Sequence, residues 1–450
     1  MDASASTALP PGPRLPAWLQ TVLFSRYWPR FIAACGRRYG SVFTVRLSAT
    51  PPMVYLSDPD EIKTVFAGNP AVFHAGEANA MLKGLLGETS VLVVDDEPHR
   101  ERRRLMLPPF HRDAVARQVD AMAEIAAANI AAWPVGTEFA AAPKMSEITL
   151  EVILQTVIGA SDPARLAALR AVLPPLLDVK PWMSIALLNP SLQNRRPWRS
   201  VRRRIEETDR LLYAEISERR ADPRLGERTD ALAMLVRSGE MTDVELRDQL
   251  MTLLVAGHDT TATGLSWALE RLIRHPDLLA RAAHAADAGD DEYLDAIAKE
   301  TLRSRPVVFD VGRVLQQPVA LAGYQLPAGV LVAPGIGLVH RRSDVYPEPD
   351  RFDPERMIGA TLTPTTWLPF GGGNRRCLGA TFAMVEMRVV LREILRRVRL
   401  ATTTAAAERQ HVKHVILVPH RGARIRVTAR RRVGSASAPG AATSRVTRPA

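Results

Sequence analysis

The stretch from Thr242 to Arg274 limits the possible folds more than any other part of the chain. Thr242 stands three residues before Glu245, the spacing of a capping box, so a helix begins there. The run that follows is long for a globular helix, and its centre, MTLLVAGHDTTATGLSWAL, is apolar nearly all round. A helix that is apolar on every side has to be surrounded by protein. The centre also carries His258, Asp259, Thr260 and Thr261, which makes it too polar for a membrane span. The chain must therefore wrap other elements round this helix. It must also find a task or a partner for Asp259, because a carboxylate buried without one is costly.

The rest of the sequence supplies those elements. The pattern is helical from Trp18 to Gly40, and from about Asp96 to His275 it is mostly amphipathic helix. SVFTVRL and PPMVYLS read as short strands about a turn at Ala49–Pro51. Beyond the long run come a helix ending near Arg303, strand pairs within VALAGYQLPAGVLVAP, and a helix from Leu378 to Leu400. There is no βαβ alternation. The expected fold class is mainly α with small β-sheets (α+β), as a single domain over residues 17–432. Residues 1–16 are Pro-rich and expected to be extended. Residues 433–450 are small and polar and expected to be disordered.

Composition excludes several classes. The chain has 450 residues, 46% hydrophobic and 24% charged, enough for a large core and an internal cavity. Two cysteines, Cys35 and Cys377, make neither a disulfide framework nor a four-cysteine metal or cluster site. The N-terminus has no signal-peptide pattern and no apolar run long enough for a transmembrane anchor, so a cytoplasmic protein is expected. The net charge of +11 leaves nucleic acid, lipid or an acidic protein open as partners, but no nucleic-acid motif is present. Six arginines between Arg421 and Arg432 carry part of that charge. Another basic stretch spans residues 194–204, and a solvated helix face is its simplest reading.

Cys377 lies in WLPFGGGNRRCLGA. A thiolate holding a heme iron would need help to stay ionised when buried. The start of the following helix offers unpaired N–H groups and a positive dipole end. Gly371, Gly372 and Gly373 let the backbone turn and pass close to a planar ligand. Gly379 lets the helix lie against that plane, and Phe370 can pack on the sulfur side. Three other readings are weaker. A buried, inert cysteine would not explain the glycines. A phosphate loop lacks its GK[ST] ending. A nucleophile needs a placed histidine, which sequence cannot show.

FGGGNRRCLG resembles the heme-binding signature of the cytochrome P-450 family, F-G-x-G-x-[HR]-x-C-x-G, at every position. The resemblance extends over about residues 10 to 430 and implies that family's fold, with heme b between the long central helix and the cysteine-bearing loop and helix. Cys377 would be the axial ligand. AGHDTT (Ala256–Thr261) matches the segment that lies over the iron. There Asp259 and Thr260 would relay protons to dioxygen, and Ala256 and Gly257 would leave room for dioxygen and substrate. ETLR (Glu300–Arg303) and the PER segment (Pro354–Arg356) match a buried network of Glu300, Arg303 and Arg356 that holds the heme core together. Met357 stands where the family often has Phe. His99, Arg103, Arg313 and Arg375 match propionate contacts. His258 sits where the family varies. His411 and His414, three apart in an expected strand, make a poor metal pair.

The resemblance further implies a heme-thiolate monooxygenase that hydroxylates or epoxidises a lipophilic small molecule. Its substrate contacts would come from Met81, Leu82, Leu85, Leu86, Trp182, Met183, Leu187, Val308, Phe309, Val415 and Ile416. The chain carries no flavin or nicotinamide fingerprint, so electrons would come from a separate ferredoxin or flavodoxin with its reductase, drawn to Arg375 and Arg376. A monomer is expected. A heme-binding sensor or carrier would not need the Asp259–Thr260 pair, and a peroxide-driven relative would tend to lose it.

Overall fold

The computed structural model describes residues 9–48, 50–160, 162–177 and 199–432. The expected tail, the expected contacts Trp182, Met183 and Leu187, and residues 194–198 of the basic stretch lie outside them. The longer helices are α1 (Ala17–Tyr39), α2 (Pro59–Ala67), α3 (Asp96–Met106), α4 (Val119–Ala131), α5 (Ala141–Val152), α6 (Pro163–Leu177), α7 (Arg199–Ala221), α8 (Asp243–Leu272), α9 (Pro276–Ala288), α10 (Asp291–Ser304) and α11 (Ala380–Arg397). Among the described residues, none is long and apolar enough to cross a membrane.

Helix α8 is the axis of the molecule. Its capping box is formed: the Thr242 hydroxyl accepts from Glu245 N, and the Glu245 carboxylate accepts from Thr242 N. The largest hydrophobic cluster surrounds it, drawing on α4, α5, α10 and α11. Helix α5 packs closely along α8. The Thr149 hydroxyl donates to the His258 carbonyl at 3.0 Å. Helix α5 then widens into a π-turn over Ile153–Ile158 and stops at Gly159, whose φ of 71° is left-handed.

Five strands form the main sheet, in the order β1 (Val42–Val45), β2 (Met53–Leu56), β8 (Leu331–Pro334), β5 (Arg313–Leu315) and β3 (Phe73–His74). Only β2 and β8 are parallel. A hairpin of β6 (Val319–Leu321) and β7 (Tyr324–Leu326) turns at Ala322 and Gly323, which both have positive φ. That matches the twist a two-residue hairpin needs. The strands β4 (Glu138–Ala140), β12 (Arg424–Arg430) and β9 (Val398–Leu400) make a third sheet, and β10 (Gln410–Lys413) pairs with β11 (Ile416–Pro419).

The expected helix over Leu378–Leu400 is shortened at both ends. Leu378 and Gly379 form a turn before α11, so Cys377 precedes the helix by one turn rather than starting it. At the far end, residues 398–400 pair with β12, with Leu400 opposite Val427. Apolar residues at 398 and 400 fit a strand as well as a helix, and pairing decides. His414 likewise falls outside β10, in the turn, while the His411 ring lies 5.6 Å from that of His420. Cys35 is buried between α1 and the sheet.

Candidate functional site

The cysteine loop is held by short backbone bonds and by its fit against α2. Gly371 N donates to Leu368 O at 3.0 Å, Arg376 N to Gly373 O at 3.1 Å, and Cys377 N to Phe370 O at 2.9 Å. Gly371 and Gly373 have φ of 62° and 66°, where a side chain would strain the backbone. A Cβ on Gly372 would lie 2.2 Å from the Phe66 ring, and one on Gly373 would lie 2.2 Å from the Phe66 carbonyl oxygen. The close approach these two glycines permit within the protein is to the end of α2. Gly379 differs: a Cβ there would meet nothing within 4 Å. Phe370 meets Trp367 edge-on at 5.8 Å.

Cys377 keeps accessible surface although protein surrounds it closely enough to shift its thiol. Burial pushes its thiol up, while Gly379 N–H, Arg103 and Arg376 pull the other way without reversing the shift. Binding to a metal would supply the rest, since a coordinated thiol is deprotonated.

The buried network expected from ETLR and PER is present. Arg303 meets Glu300 through two bonds of 2.7 and 2.8 Å, and both side chains are fully buried. Arg356 stands 3.5 Å from Glu300 and donates to the Pro347 carbonyl at 2.8 Å. Arg303 also donates to the carbonyls of His340 and Arg351. His340, absent from the expectations above, carries this network to the cysteine loop. Its Nε2 accepts from Leu368 N at 3.1 Å, and its ring meets Tyr346 edge-on at 6.2 Å. Burial, and then Arg303, push His340 down to about 3, so it is neutral.

His99, Arg103, Arg313 and Arg375 do come together. His99 is pushed down to about 3, first by burial and then by Arg375 and Arg103, against Asp95. Arg313 falls to about 10, first by burial and then by Arg375. Among the described residues, only Arg375 has a carboxylate partner, Asp95, and it also donates to the carbonyls of Val91 and Val94. Arg313 is buried with just the Gly312 carbonyl to bond, and Arg103 forms no ion pair. His99 is neutral, so three guanidinium groups sharing one acid leave an excess of positive charge at this place. The two carboxylates of a heme b would answer it, so these residues fit that group. Arg375 is the qualified member, because Asp95 already holds it.

On α8 the burial is interrupted at one place. Everything from Leu246 to Leu254 and from Thr261 to Leu272 is buried, whereas Ala256 is exposed and Val255, Gly257, Asp259 and Thr260 are partly so. Ala256 thus opens onto space. Gly257 is partly exposed, and a Cβ there would lie 2.3 Å from Ile153 Cδ1, so the glycine also makes room for the π-turn that ends α5. Thr260 donates to the Ala256 carbonyl at 2.7 Å, and Asp259 is paired with Lys413 of β10 at 3.1 Å. Both acid and alcohol are therefore engaged within the protein. Asp259, Lys413 and His258 line a pocket of about 550 Å³ on the flank of α8, closed by Ser146, Pro174 and Pro419. Glu386 of α11, also unforeseen, is buried under α8. Burial pushes it well above the carboxylate range against a hydrogen bond with Thr261, and its Oε1 has no partner.

Among the expected substrate contacts, Leu86 and Phe309 are core. Leu86 has no accessible surface, and Phe309 packs on Trp28 at 5.9 Å. Ile416 is buried too. Met81 and Val415 are exposed, and Leu82, Leu85 and Val308 are half-buried. In the basic stretch, Arg204 reaches the Pro175 carbonyl and Arg202 pairs with Glu206, as a helix face would.

A cysteine sulfur beside more bases than acids fits a protein that takes up heme through a thiolate. Comparison with known proteins identifies which. The sequence pattern of Cytochrome P450 matches residues 10–427, and the chain belongs to that family. It is 70% identical to cytochrome P450 135B1 of Mycobacterium tuberculosis over 97% of this chain and 95% of that one. It is 39% identical to cytochrome P450 135A1 of the same species over 96% and 98%. Its fold superposes on a retinoic acid-bound cyanobacterial CYP120A1 with a TM-score of 0.82, at 25% identity over 94% of this chain and 99% of that one. The heme domain of cytochrome P450DA shares the fold, with a TM-score of 0.80 at 23% identity over 95% and 98%. The protein is a cytochrome P450 monooxygenase whose cofactor is heme b, using dioxygen and electrons from redox partners.

Proposed function

We propose that the Cys377 sulfur would hold the heme iron and that the opened residues of α8, Val255–Gly257 with Asp259 and Thr260, would face the reacting side. The carrying observation is that break in the burial of an otherwise enclosed helix, at the residues that hold an acid and an alcohol. The bound heme supplies the activation of dioxygen. His99, Arg103 and Arg313 would hold its carboxylates, and Arg375 would reinforce them from its bond to Asp95.

The chain's own part is to manage protons. Asp259 looks into the flank pocket, where its Oδ2 meets Lys413 Nζ, so that pocket gives it access to solvent. The Thr260 hydroxyl points back at its own helix and must rotate about χ1 to donate inward. A proton then moves from the pocket to Asp259 and on to Thr260 Oγ1. Substrate is a lipophilic molecule oxidised at a C–H or C=C bond. Exposed Met81 and Val415, half-buried Val308, and a retinoic acid-bound neighbour at 25% identity support that class. A separate ferredoxin or flavodoxin delivers electrons to the side bearing Arg376, which is exposed.

The test measures NADPH consumption and product with surrogate redox partners. Thr260→Ala should keep consuming NADPH while product per NADPH falls by roughly 10²-fold, the lower range for a lost proton-transfer group. Unchanged product in Thr260→Ala, or turnover with peroxide alone, refutes this assignment. Cys377→Ser should abolish the characteristic carbon monoxide band of the reduced protein.

A further inference from the structure

The first half of α1 is built inside out. The helix kinks at Tyr27, whose φ is −138°, two residues before Pro29, which lacks an N–H to continue the ladder. Beyond the kink, Trp28, Ile32 and Cys35 are buried against the sheet in the ordinary way. Before it, the one buried residue is polar. Gln20 is 1% exposed and donates to the carbonyls of Pro13 and Leu15 while accepting from Arg46 N. Large apolar residues are left outside: Trp18 is 62% exposed and Val22 54%, with Leu15 just before the helix 41% and Tyr27 at the kink 47%. Trp18 and Val22 are four apart and share one face.

Charge around this face is of one sign. Between Asp2 and Asp58 the chain has six arginines, no lysine and no acidic residue. Arg14, Arg26, Arg30 and Arg46 are exposed, and none forms an ion pair among the described residues. Elsewhere the protein pairs its arginines freely with carboxylates. A tryptophan and aliphatic side chains facing out, bordered by unpaired arginines, match a helix that lies in a lipid interface. An acidic protein would satisfy the arginines but would leave Trp18 and Val22 unexplained.

We propose that the α1 face of Trp18 and Val22, with Leu15 just before the helix, Tyr27 at the kink and Arg14, Arg26, Arg30 and Arg46, docks the enzyme on an anionic membrane surface. Docking is peripheral and reversible. It would place the enzyme where lipophilic molecules partition, and it stands whether or not the substrate reading above holds.

The experiment sediments the full-length holoenzyme with vesicles of phosphatidylglycerol and phosphatidylcholine in equal parts, and with phosphatidylcholine alone. Wild type should bind the anionic vesicles more tightly, and raised salt should weaken that binding. Arg26→Gln/Arg30→Gln should weaken it by about fivefold per arginine, and Trp18→Ser/Val22→Ser should weaken it at both salt concentrations. All these sites are exposed, and unchanged heme content and circular dichroism confirm folding. No binding by wild type, or equal binding by wild type and both double variants, overturns the proposal. A concentration-dependent dimer abolished by Trp18→Ser, without vesicle binding, assigns the face to a second copy instead. Loss of ferredoxin-driven reduction in the arginine variant, again without vesicle binding, assigns it to a redox partner.

Discussion

Replacing His340 by leucine tests whether the cysteine loop depends on a residue far from it in sequence. The wild-type ring accepts the buried Leu368 N–H at 3.1 Å and meets Tyr346 edge-on. Leucine fills a similar volume but accepts nothing. A buried donor left without an acceptor costs about 1–3 kcal/mol. The lost ring contact adds about 0.5–1.5 kcal/mol. Near neutral pH, His340→Leu should therefore unfold with about 1.5–4.5 kcal/mol less stability. Acid changes the comparison. His340 has a folded pKa of about 3, below the ~6.5 of an unfolded histidine. Between those values the unfolded chain holds one more proton, so wild-type stability is full above ~6.5 and falls as pH drops towards 3. At pH 5 that loss is about 2 kcal/mol, and the leucine variant does not share it. The gap between the two proteins should shrink by that amount. Urea titrations of the holoenzyme at pH 7.5 and pH 5, followed by circular dichroism, read both numbers. A gap that does not change with pH, or one under about 0.5 kcal/mol at pH 7.5, refutes the role given to this ring. His340→Gln, which restores an acceptor, should recover part of the loss.

Gly257→Ala should destabilise by about 1–3 kcal/mol through collision with Ile153, less up to about 1 kcal/mol gained in helix propensity. Ile153→Val, which removes the colliding Cδ1, should relieve that cost in the double variant. Additive effects in thermal melts would show that the glycine serves open space after all. Arg313→Leu should weaken heme retention, read as the ratio of heme to protein absorbance after gel filtration. Yet it should leave the heme-free protein equally stable or more stable by about 1 kcal/mol, since a buried, unpaired charge is removed. A loss of stability in the heme-free protein would mean that Arg313 has a structural partner.

The features readable from sequence were those written in local spacing. Thr242 and Glu245 announce their capping box, and Glu300 and Arg303 share a helix face three residues apart. The cysteine loop announces itself through its glycines, although only the fold reveals that Gly372 and Gly373 accommodate Phe66. Long-range pairs leave no such trace. Nothing near Asp259 points to Lys413, 154 residues away, and nothing near Arg375 points to Asp95. His340 was invisible because its role is to accept a bond from a loop it meets only after folding. Glu386 did leave a sign: it is a lone acid within the apolar run TFAMVEM of α11. The shortened α11 shows the opposite limit, where residues 398–400 suit two conformations and a partner strand chooses.

The cysteine loop is fastened to the rest of the protein at several points: Phe66 behind the glycines, His340 at Leu368, Asp95 on Arg375. These contacts let folding contribute to the order of the loop. The more of that order is in place before heme enters, the more of its affinity is left for retention. Variants that loosen these fastenings should therefore be lost first as apparent failures of heme loading, although the residues changed never touch the porphyrin.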